Sequence, residues 1–451
     1  MGHVAGSTLI IGSGISGLAT AYYLRRGASS VTLLEATAHL GGKVATVDVE
    51  GLPVDVGPDA FLSRSADLRQ LIDVLGLTDD IIEPQGGGSY IWSRGRLRPI
   101  PPGAAFGLPD RLVPLLRSGL LSPAGVARAG FDIVLPATKS GSDPSIADLV
   151  RPRFGGDVYH RMVEPLLGGV HAGDPAQLSA KSTVPEIYAI ASGNRSVYLS
   201  MRKRRVKPTG RRQAPLVSLR GGMGRLTHAL ADAVGDVRLG TPATSLEPDG
   251  TGWRVDDLTA DNVVLATPAY VTADLVRATA PELSAVLDTI SYVDVANATL
   301  AFRAADVPPL PPGTGFLVPP IEREFIVGCS WLTNKWPHLA NEDVVLIKSM
   351  VGRTGDTRWL SMSDAEIVDG VRDGLARILD VDAAPIATYV QRWPRAMPQY
   401  TVGHAERLAR IESLTPTGLH LTGAAYRGAG LAACTTQAAA TAASILEGTQ
   451  P

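Results

Sequence analysis

The feature that most constrains this chain is a glycine-rich turn set directly after a short apolar run near its start. Residues 8–11 (TLII) read as a β-strand, and GSGISG follows at once: Gly12, Ser13, Gly14, Ile15, Ser16 and Gly17. Behind the turn, Leu18, Ala19, Ala21, Tyr22 and Leu24 mark one face of a helix, and a second apolar run over 31–34 ends in Glu35 and Ala36. An isolated GxGxxG is equally an ordinary glycine-rich turn. The strand, the helix and the acidic strand end together argue for a dinucleotide site. Gly12 permits the tight turn, Gly14 lets the backbone approach a pyrophosphate, and Gly17 permits close helix–strand packing. Free N–H groups and the helix dipole then favour the phosphates, and Glu35 is placed to accept ribose hydroxyls.

Two further segments separate a flavin from a nicotinamide. HLGGKVATV carries Gly42 and Lys43, and VDVGPDAFL carries Gly57, Pro58, Asp59 and Ala60. A nicotinamide site needs neither, whereas a flavin dinucleotide must be held along its whole length, which a second glycine-rich approach with a nearby cation suits. The pairing resembles the N-terminal signature of the FAD-dependent amine oxidase and protoporphyrinogen oxidase superfamily, so FAD is the expected cofactor. Next, Leu68, Leu71, Ile72 and Leu75 recur at helical spacing and Gly76 supplies the stop.

The dinucleotide unit then breaks off and resumes. Around the middle, LVSLRGGMGRLTHAL reads as a loop feeding a helix with Leu226, Leu230 and Val234 on its apolar face, and strand-like runs follow up to residue 266. Near the end, residues 419–423 form a strand entering a glycine-rich turn and a long Ala-rich helix. The fold class expected is α/β: a discontinuous Rossmann-like FAD-binding domain over 1–85, 215–285 and 405–451, a mixed-sheet substrate domain over 86–103 and 286–404, and a helical insert over 104–214. VANATLAFR, EFIVGCSWL and DVVLIKSMV read as strands of the substrate-domain sheet.

Bulk properties exclude several classes. A net charge of -2 gives no basic excess for nucleic acid. Cys329 and Cys434 are the only cysteines, so no disulfide framework is implied, and a cytoplasmic setting is expected. No signal peptide is apparent. The uncharged runs over 7–24 and 428–446 are broken by glycine and polar residues, so no transmembrane segment is expected. No HExxH or CxxC spacing suggests a metal. His171, His404 and Cys434 are expected as surface or packing residues, and the basic run 202–212 as a solvated loop. The stretch 106–135 is expected to be a helix pair packed on the core, with a peripheral membrane contact as the alternative.

Four segments narrow the resemblance: YIWSRGRLRPIP from residue 90, EPLLGGVHAGDPAQLSAKSTVPEI from 164, QRWPRAMPQYTVGH from 391, and the C-terminal GAGLAACTTQA. Together they look like the bacterial coproporphyrinogen/protoporphyrinogen oxidase family across essentially the whole chain. The resemblance implies that Trp393 lies beside the flavin ring, and that Gly428, Ala429, Gly430 and Leu431 line its ribityl side. Ala243 falls where relatives place a valine whose backbone meets the adenine. It also implies an O2-using, H2O2-forming oxidation of coproporphyrinogen III to coproporphyrin III in haem biosynthesis, with a ferrochelatase as a plausible receiver of product. Ser89 stands where protoporphyrinogen-using relatives tend to carry a propionate-binding arginine; Arg94, Arg96 and Arg98 are nearby substitutes. No catalytic side chain is nominated, because porphyrinogen C–H bonds are already activated by the flanking pyrroles. The alternatives are a protoporphyrinogen IX oxidase, a flavin amine oxidase or desaturase of the same fold, and a non-catalytic flavin-bound tetrapyrrole carrier.

Overall fold

The apolar runs that flank the first turn stand side by side as parallel strands, Thr8–Ile11 against Val31–Leu34, with Ile10 and Leu33 fully buried. Strands covered on both faces read as continuous apolar runs rather than alternating ones, which is why both were visible in the sequence. The computed structural model describes residues 6–85, 87–104, 106–136, 141–204 and 214–448. Val237–Arg238 pairs outside Val31–Leu34, and Asn262–Leu265 and then Leu419–Leu421 extend the other side, completing a five-stranded parallel sheet. One sheet thus draws strands from both ends of the chain and from its middle.

Helices Ile15–Arg26, Ala66–Val74, Gly224–Val234 and Leu431–Leu446 share a single apolar core that includes Leu18, Leu68, Leu71, Leu226, Leu230, Cys434 and Ala438. Gly76, at φ +72°, ends the second of these helices as the pattern indicated. An antiparallel sheet of Leu246–Asp249, Gly252–Val255 and Leu258–Ala260 belongs to a separate core with Leu9, Ile11 and Trp253.

The second large sheet has seven strands, in the order Ala387–Pro398, Tyr292–Arg303, Val344–Val351, Ile326–Trp331, Gly315–Leu317, Tyr90–Ser93 and Arg96–Pro99. Every pairing is antiparallel except that of Gly315–Leu317 with Tyr90–Ser93. The strands Tyr90–Ser93 and Arg96–Pro99 form a hairpin, turned by Arg94 at φ +54° and Gly95 at φ +70°. Positive φ at both central positions is the geometry that matches the twist of tightly joined strands.

Among the described residues, the segment between Pro99 and Leu216 contains helices and no strand. Its core holds a fully buried ion pair. Arg153 Nη1 donates to Asp132 Oδ1 at 2.7 Å and to the Arg195 carbonyl at 2.6 Å, while Asp132 Oδ2 accepts from Ser196 Oγ at 2.7 Å and Tyr198 N at 2.8 Å. Helices Leu112–Ser118 and Pro123–Gly130 bury Leu115, Val126 and Ala129 as expected of a packed pair, yet leave Phe106, Val113, Leu116, Phe131, Ile133 and Val134 exposed. Arg202 and Lys203 lie in the last turn of Val197–Arg204, and the rest of the basic run, 205–212, lies outside the described residues. No helix among the described residues is long and apolar enough to cross a membrane.

One buried group gives the fold a pH dependence. His420, on the outermost strand of the parallel sheet, is 3% exposed and holds Asn262 Oδ1 at 3.2 Å through Nε2. Burial pushes it down to about 4. Its unfolded pKa is ~6.5, so the unfolded chain binds the extra proton between these values. The stability it contributes is complete above the unfolded value and lost as pH falls through the folded one. Between pH 7 and 5 the wild type is expected to lose about 1–2 kcal/mol more unfolding free energy than His420→Leu. Equal losses in urea titrations would contradict this.

Candidate active site

The first helix begins where the glycine turn ends. Gly14 is its N-cap, with no side chain capping the free N–H groups, and a Cβ on Gly14 would meet nothing within 4 Å. The helix N-terminus therefore faces open space, with its donors and dipole available to an anion. Gly17 is the opposite case. A Cβ there would overlap the Gly12 carbonyl oxygen and lie 3.2 Å from the Ala266 Cβ. Ser13, Ile15 and Ser16 are buried beneath the turn.

Glu35 is clamped. Its Oε2 accepts from Ser13 N at 2.9 Å and Ser13 Oγ at 2.8 Å, and its Oε1 accepts from Thr37 N at 2.9 Å and Thr37 Oγ1 at 2.8 Å. Burial alone would raise its pKa, but these hydrogen bonds outweigh burial and hold the carboxyl below its ordinary value. A carboxylate has about four lone-pair positions, so ribose hydroxyls would replace the two side-chain hydroxyls rather than meet an empty acceptor. Ala36 is exposed beside it. The segment carrying Ala243 is brought past this strand end by Thr241 N donating to the Glu35 carbonyl at 2.8 Å.

The second glycine turn closes onto the first. Gly41 N donates to the Ser13 carbonyl at 3.0 Å, and a Cβ on Gly42 would lie 3.4 Å from the Gly14 Cα. Lys43 follows with no ion-pair partner among the described residues, and burial pushes its ammonium below the usual lysine value. An unpaired, partly desolvated cation beside an open helix N-terminus suits an anionic ligand. Lys43→Met is expected to weaken FAD binding about tenfold or more while the thermal midpoint of the apoprotein holds or rises, because a buried unpaired charge is removed. Isothermal titration of apoprotein with FAD checks this, and unchanged affinity would exclude Lys43 from the site.

Gly57 packs so tightly on the Lys43 carbonyl that a Cβ would overlap it. The turn of Gly57, Pro58, Asp59 and Ala60 therefore starts at Lys43, and it meets Trp393 at once. The Val56 carbonyl accepts from Trp393 Nε1 at 3.0 Å and Asn297 Nδ2 at 2.8 Å. Asp59 is tied to the mixed sheet's side of the groove. Its Oδ2 accepts from Lys335 Nζ at 2.7 Å and Trp336 Nε1 at 3.3 Å, with Lys348 Nζ 4.0 Å away. Burial alone would raise this carboxyl, yet the two lysines hold it well below the usual carboxylate range. Its neighbour Asp55 is pushed up to about 6 by burial, despite accepting from Thr46 Oγ1 at 2.6 Å and Met223 N at 2.8 Å.

The far wall is the start of the last helix. Gly430 is its N-cap, again without a side-chain cap and with open space where a Cβ would stand. Gly428, at φ +118°, donates its N–H to Tyr400 Oη at 2.8 Å, and that hydroxyl donates to the Ala424 carbonyl at 2.6 Å. Ala429 and Leu431 complete the turn, Leu431 being buried in the helical core. These contacts link Glu35 to the Gly14 turn, that turn to Gly41 and Lys43, and Lys43 through Gly57 and Val56 to Trp393; the open space at Gly14 and Gly430 is the candidate cofactor groove. Two open helix N-termini, an unpaired cation and glycines that face space fit a long anionic dinucleotide.

Sequence reasoning missed Tyr400, Asn297, Lys335, Lys348 and the role of the Ser13 side chain. Tyr400 lies inside a segment singled out above, but nothing local says that its hydroxyl anchors a turn 28 residues on. His404 is a core residue, stacked on Tyr400 at 4.2 Å and bonded to the Tyr426 carbonyl at 2.9 Å. Cys434 is buried. The described residues contain no group of three or more potential metal ligands. Arg94 and Arg98 contact the Leu120 and Ser93 carbonyls, and Ser89 pairs with Thr314 through their hydroxyls at 2.9 Å.

Residues 15–446 match the model of a family described as flavin containing amine oxidoreductase. The chain belongs to this family. Its cofactor is FAD and it is an oxidoreductase. The coproporphyrinogen III oxidase of Bacillus subtilis (strain 168) is 33% identical, covering 97% of this chain and 97% of that protein. The coproporphyrinogen III oxidase of Mycobacterium bovis is also 33% identical, covering 98% and 97%. A crystal structure from Exiguobacterium sp. 255-15, provisionally named a protoporphyrinogen oxidase, superposes with a TM-score of 0.88 at 30% identity over 98% of this chain and 99% of that one.

Proposed function

We propose that this flavoprotein oxidises coproporphyrinogen III to coproporphyrin III, with O2 as acceptor and H2O2 as product, as a step of haem biosynthesis. The observation that carries the reading is 33% identity over nearly the whole chain to enzymes named for that reaction. Bound FAD would supply the redox chemistry, taking six electrons in three two-electron steps and passing them to three molecules of O2.

The protein's part in this reading is placement. Trp393 and the Gly57 turn, joined through Val56, form the end of the groove where the flavin ring would lie. Lys43 and the uncapped donors at Gly14 would take the pyrophosphate, Glu35 the adenosine ribose and the Ala243 backbone the adenine. Gly428, Ala429, Gly430 and Leu431 would follow the ribityl chain. No side chain is assigned as a general base, since the substrate's C–H bonds lie next to electron-rich pyrroles.

The proposal includes the division into an FAD-binding domain (1–85, 215–285, 405–451), a substrate domain (86–103, 286–404) and a helical insert (104–214), which the separate cores of the parallel sheet, the mixed sheet and the helices support. It also includes a cytoplasmic location and hand-over of product to a ferrochelatase. Protoporphyrinogen IX is the second reading, favoured by the name of the Exiguobacterium structure. Aerobic assays on both porphyrinogens, following porphyrin fluorescence and H2O2 together, distinguish them. The proposal expects kcat/KM to be higher for coproporphyrinogen III, and a preference for protoporphyrinogen IX would reverse it.

A further inference from the structure

A cavity of about 210 Å³ lies between the helix Glu164–His171 and the mixed sheet, bordered by Glu164, Gly168, Gly169, Asp174, Val318 and Arg353. On the sheet side, Val327 lies in the strand Ile326–Trp331, and Val318 and Arg353 lie just beyond the strands Gly315–Leu317 and Val344–Val351. Ligand sites are concave, mostly apolar, and carry a few convergent polar groups. Here valines, prolines and glycines form the walls, and one guanidinium and two carboxylates supply the polarity.

Arg353 is the under-used group. Among the described residues its guanidinium donates to the Val318 carbonyl at 3.3 Å and the Glu324 carbonyl at 3.5 Å, both long for such bonds. Five N–H donors are available. The nearest acidic neighbour in sequence, Asp356, is taken by Arg358 at 2.8 and 2.6 Å. Burial lowers the Arg353 pKa, with Asp356 and Glu164 offsetting only part of that effect. The two carboxylates are partly engaged. Glu164 Oε2 is 3.0 Å from His160 Nδ1, and Asp174 Oδ1 accepts from Ala176 N at 2.8 Å. Each keeps acceptor capacity toward a donor in the cavity.

A simple dianion would be repelled by Glu164 and Asp174, and a simple cation by Arg353. A porphyrinogen answers both, because it carries carboxylates on its rim and pyrrole N–H donors at its centre. Resting on the tetrapyrrole reading above, we propose that this cavity receives one pyrrole edge of the substrate, with Arg353 holding a propionate and Glu164 and Asp174 facing the pyrrole N–H groups. Arg353 then supplies the charged propionate contact that the uncharged Ser89 cannot. The planar guanidinium can hold a carboxylate through two parallel bonds, which a lysine cannot reproduce.

The test uses the holoenzyme and its Arg353→Gln and Arg353→Lys variants. Binding of coproporphyrin III and of its tetramethyl ester is measured by fluorescence quenching, alongside KM and kcat for coproporphyrinogen III. Arg353→Gln is expected to weaken binding of the free acid about ten- to hundredfold, to leave the ester's affinity within about twofold, and to act mainly on KM. Arg353→Lys is expected to fall between. Equal losses for acid and ester, or no loss for either, would overturn the assignment of Arg353. Wild-type holoenzyme that binds and oxidises no porphyrinogen would instead overturn the functional proposal itself, whatever the variants do.

Discussion

Gly17→Ala is expected to abolish FAD retention. The single added carbon would overlap the Gly12 carbonyl oxygen, a backbone atom of the turn, with the Ala266 Cβ close behind. No rotamer relieves that contact, so the helix Ile15–Arg26 must move away from the turn that aims its N–H groups at the groove. Overpacking of this kind costs about 1–3 kcal/mol or more, and the apoprotein should lose thermal stability as well as cofactor. Gly14→Ala separates the two effects. Its Cβ would enter open space, so the apoprotein should melt normally, yet the methyl would stand where a pyrophosphate approaches. The flavin-to-protein absorbance ratio of purified protein should fall at least about tenfold in both variants, and the apoprotein midpoint only in Gly17→Ala. Normal flavin content in Gly14→Ala would show that the pyrophosphate lies elsewhere.

Asp132→Ala is expected to cost about 3–5 kcal/mol, because it leaves Arg153 charged and 1% exposed with the Arg195 carbonyl as its one remaining hydrogen-bond partner among the described residues. Ser196 Oγ and Tyr198 N lose their acceptor in the same step. The damage should be greatest in the helical region between Leu112 and Arg204, where hydrogen exchange should rise before the parallel sheet opens. The double variant Asp132→Ala/Arg153→Met removes the stranded charge and should recover a large part of the loss, since an apolar pair of similar bulk often substitutes for a buried ion pair. A single variant that unfolds like the wild type would contradict the burial of the pair.

What could be read beforehand follows from the range of the interactions. The strand–turn–helix–strand unit around Gly12 was legible because its glycines, apolar runs and Glu35 lie within one short stretch. Trp393 and Gly428 were singled out only through resemblance, since nothing in the residues themselves brings Trp393 to Val56, whereas the Gly57 turn stood out by its own glycine-rich pattern. The Asp59–Lys335 pair was invisible for the same reason: 276 positions separate the partners, and a lone Lys in LTNKW reads as a surface charge. Glu35 stood out by its place at the strand end, but its occupation by Ser13 and Thr37 depends on rotamers that a pattern does not contain. In 106–135 the inward half of the helix pattern was right, and the exposed half could not be told from core because both halves are Leu-, Val- and Phe-rich.

The central claim is that porphyrinogen electrons enter FAD held in the groove from Glu35 to Trp393, and the direct measurement is anaerobic mixing of holoenzyme with coproporphyrinogen III. The account expects the flavin absorbance to bleach as coproporphyrin fluorescence appears, and admission of air to restore the flavin with formation of H2O2. A flavin spectrum that stays oxidised in the presence of substrate, in protein that retains its full complement of FAD, would contradict it.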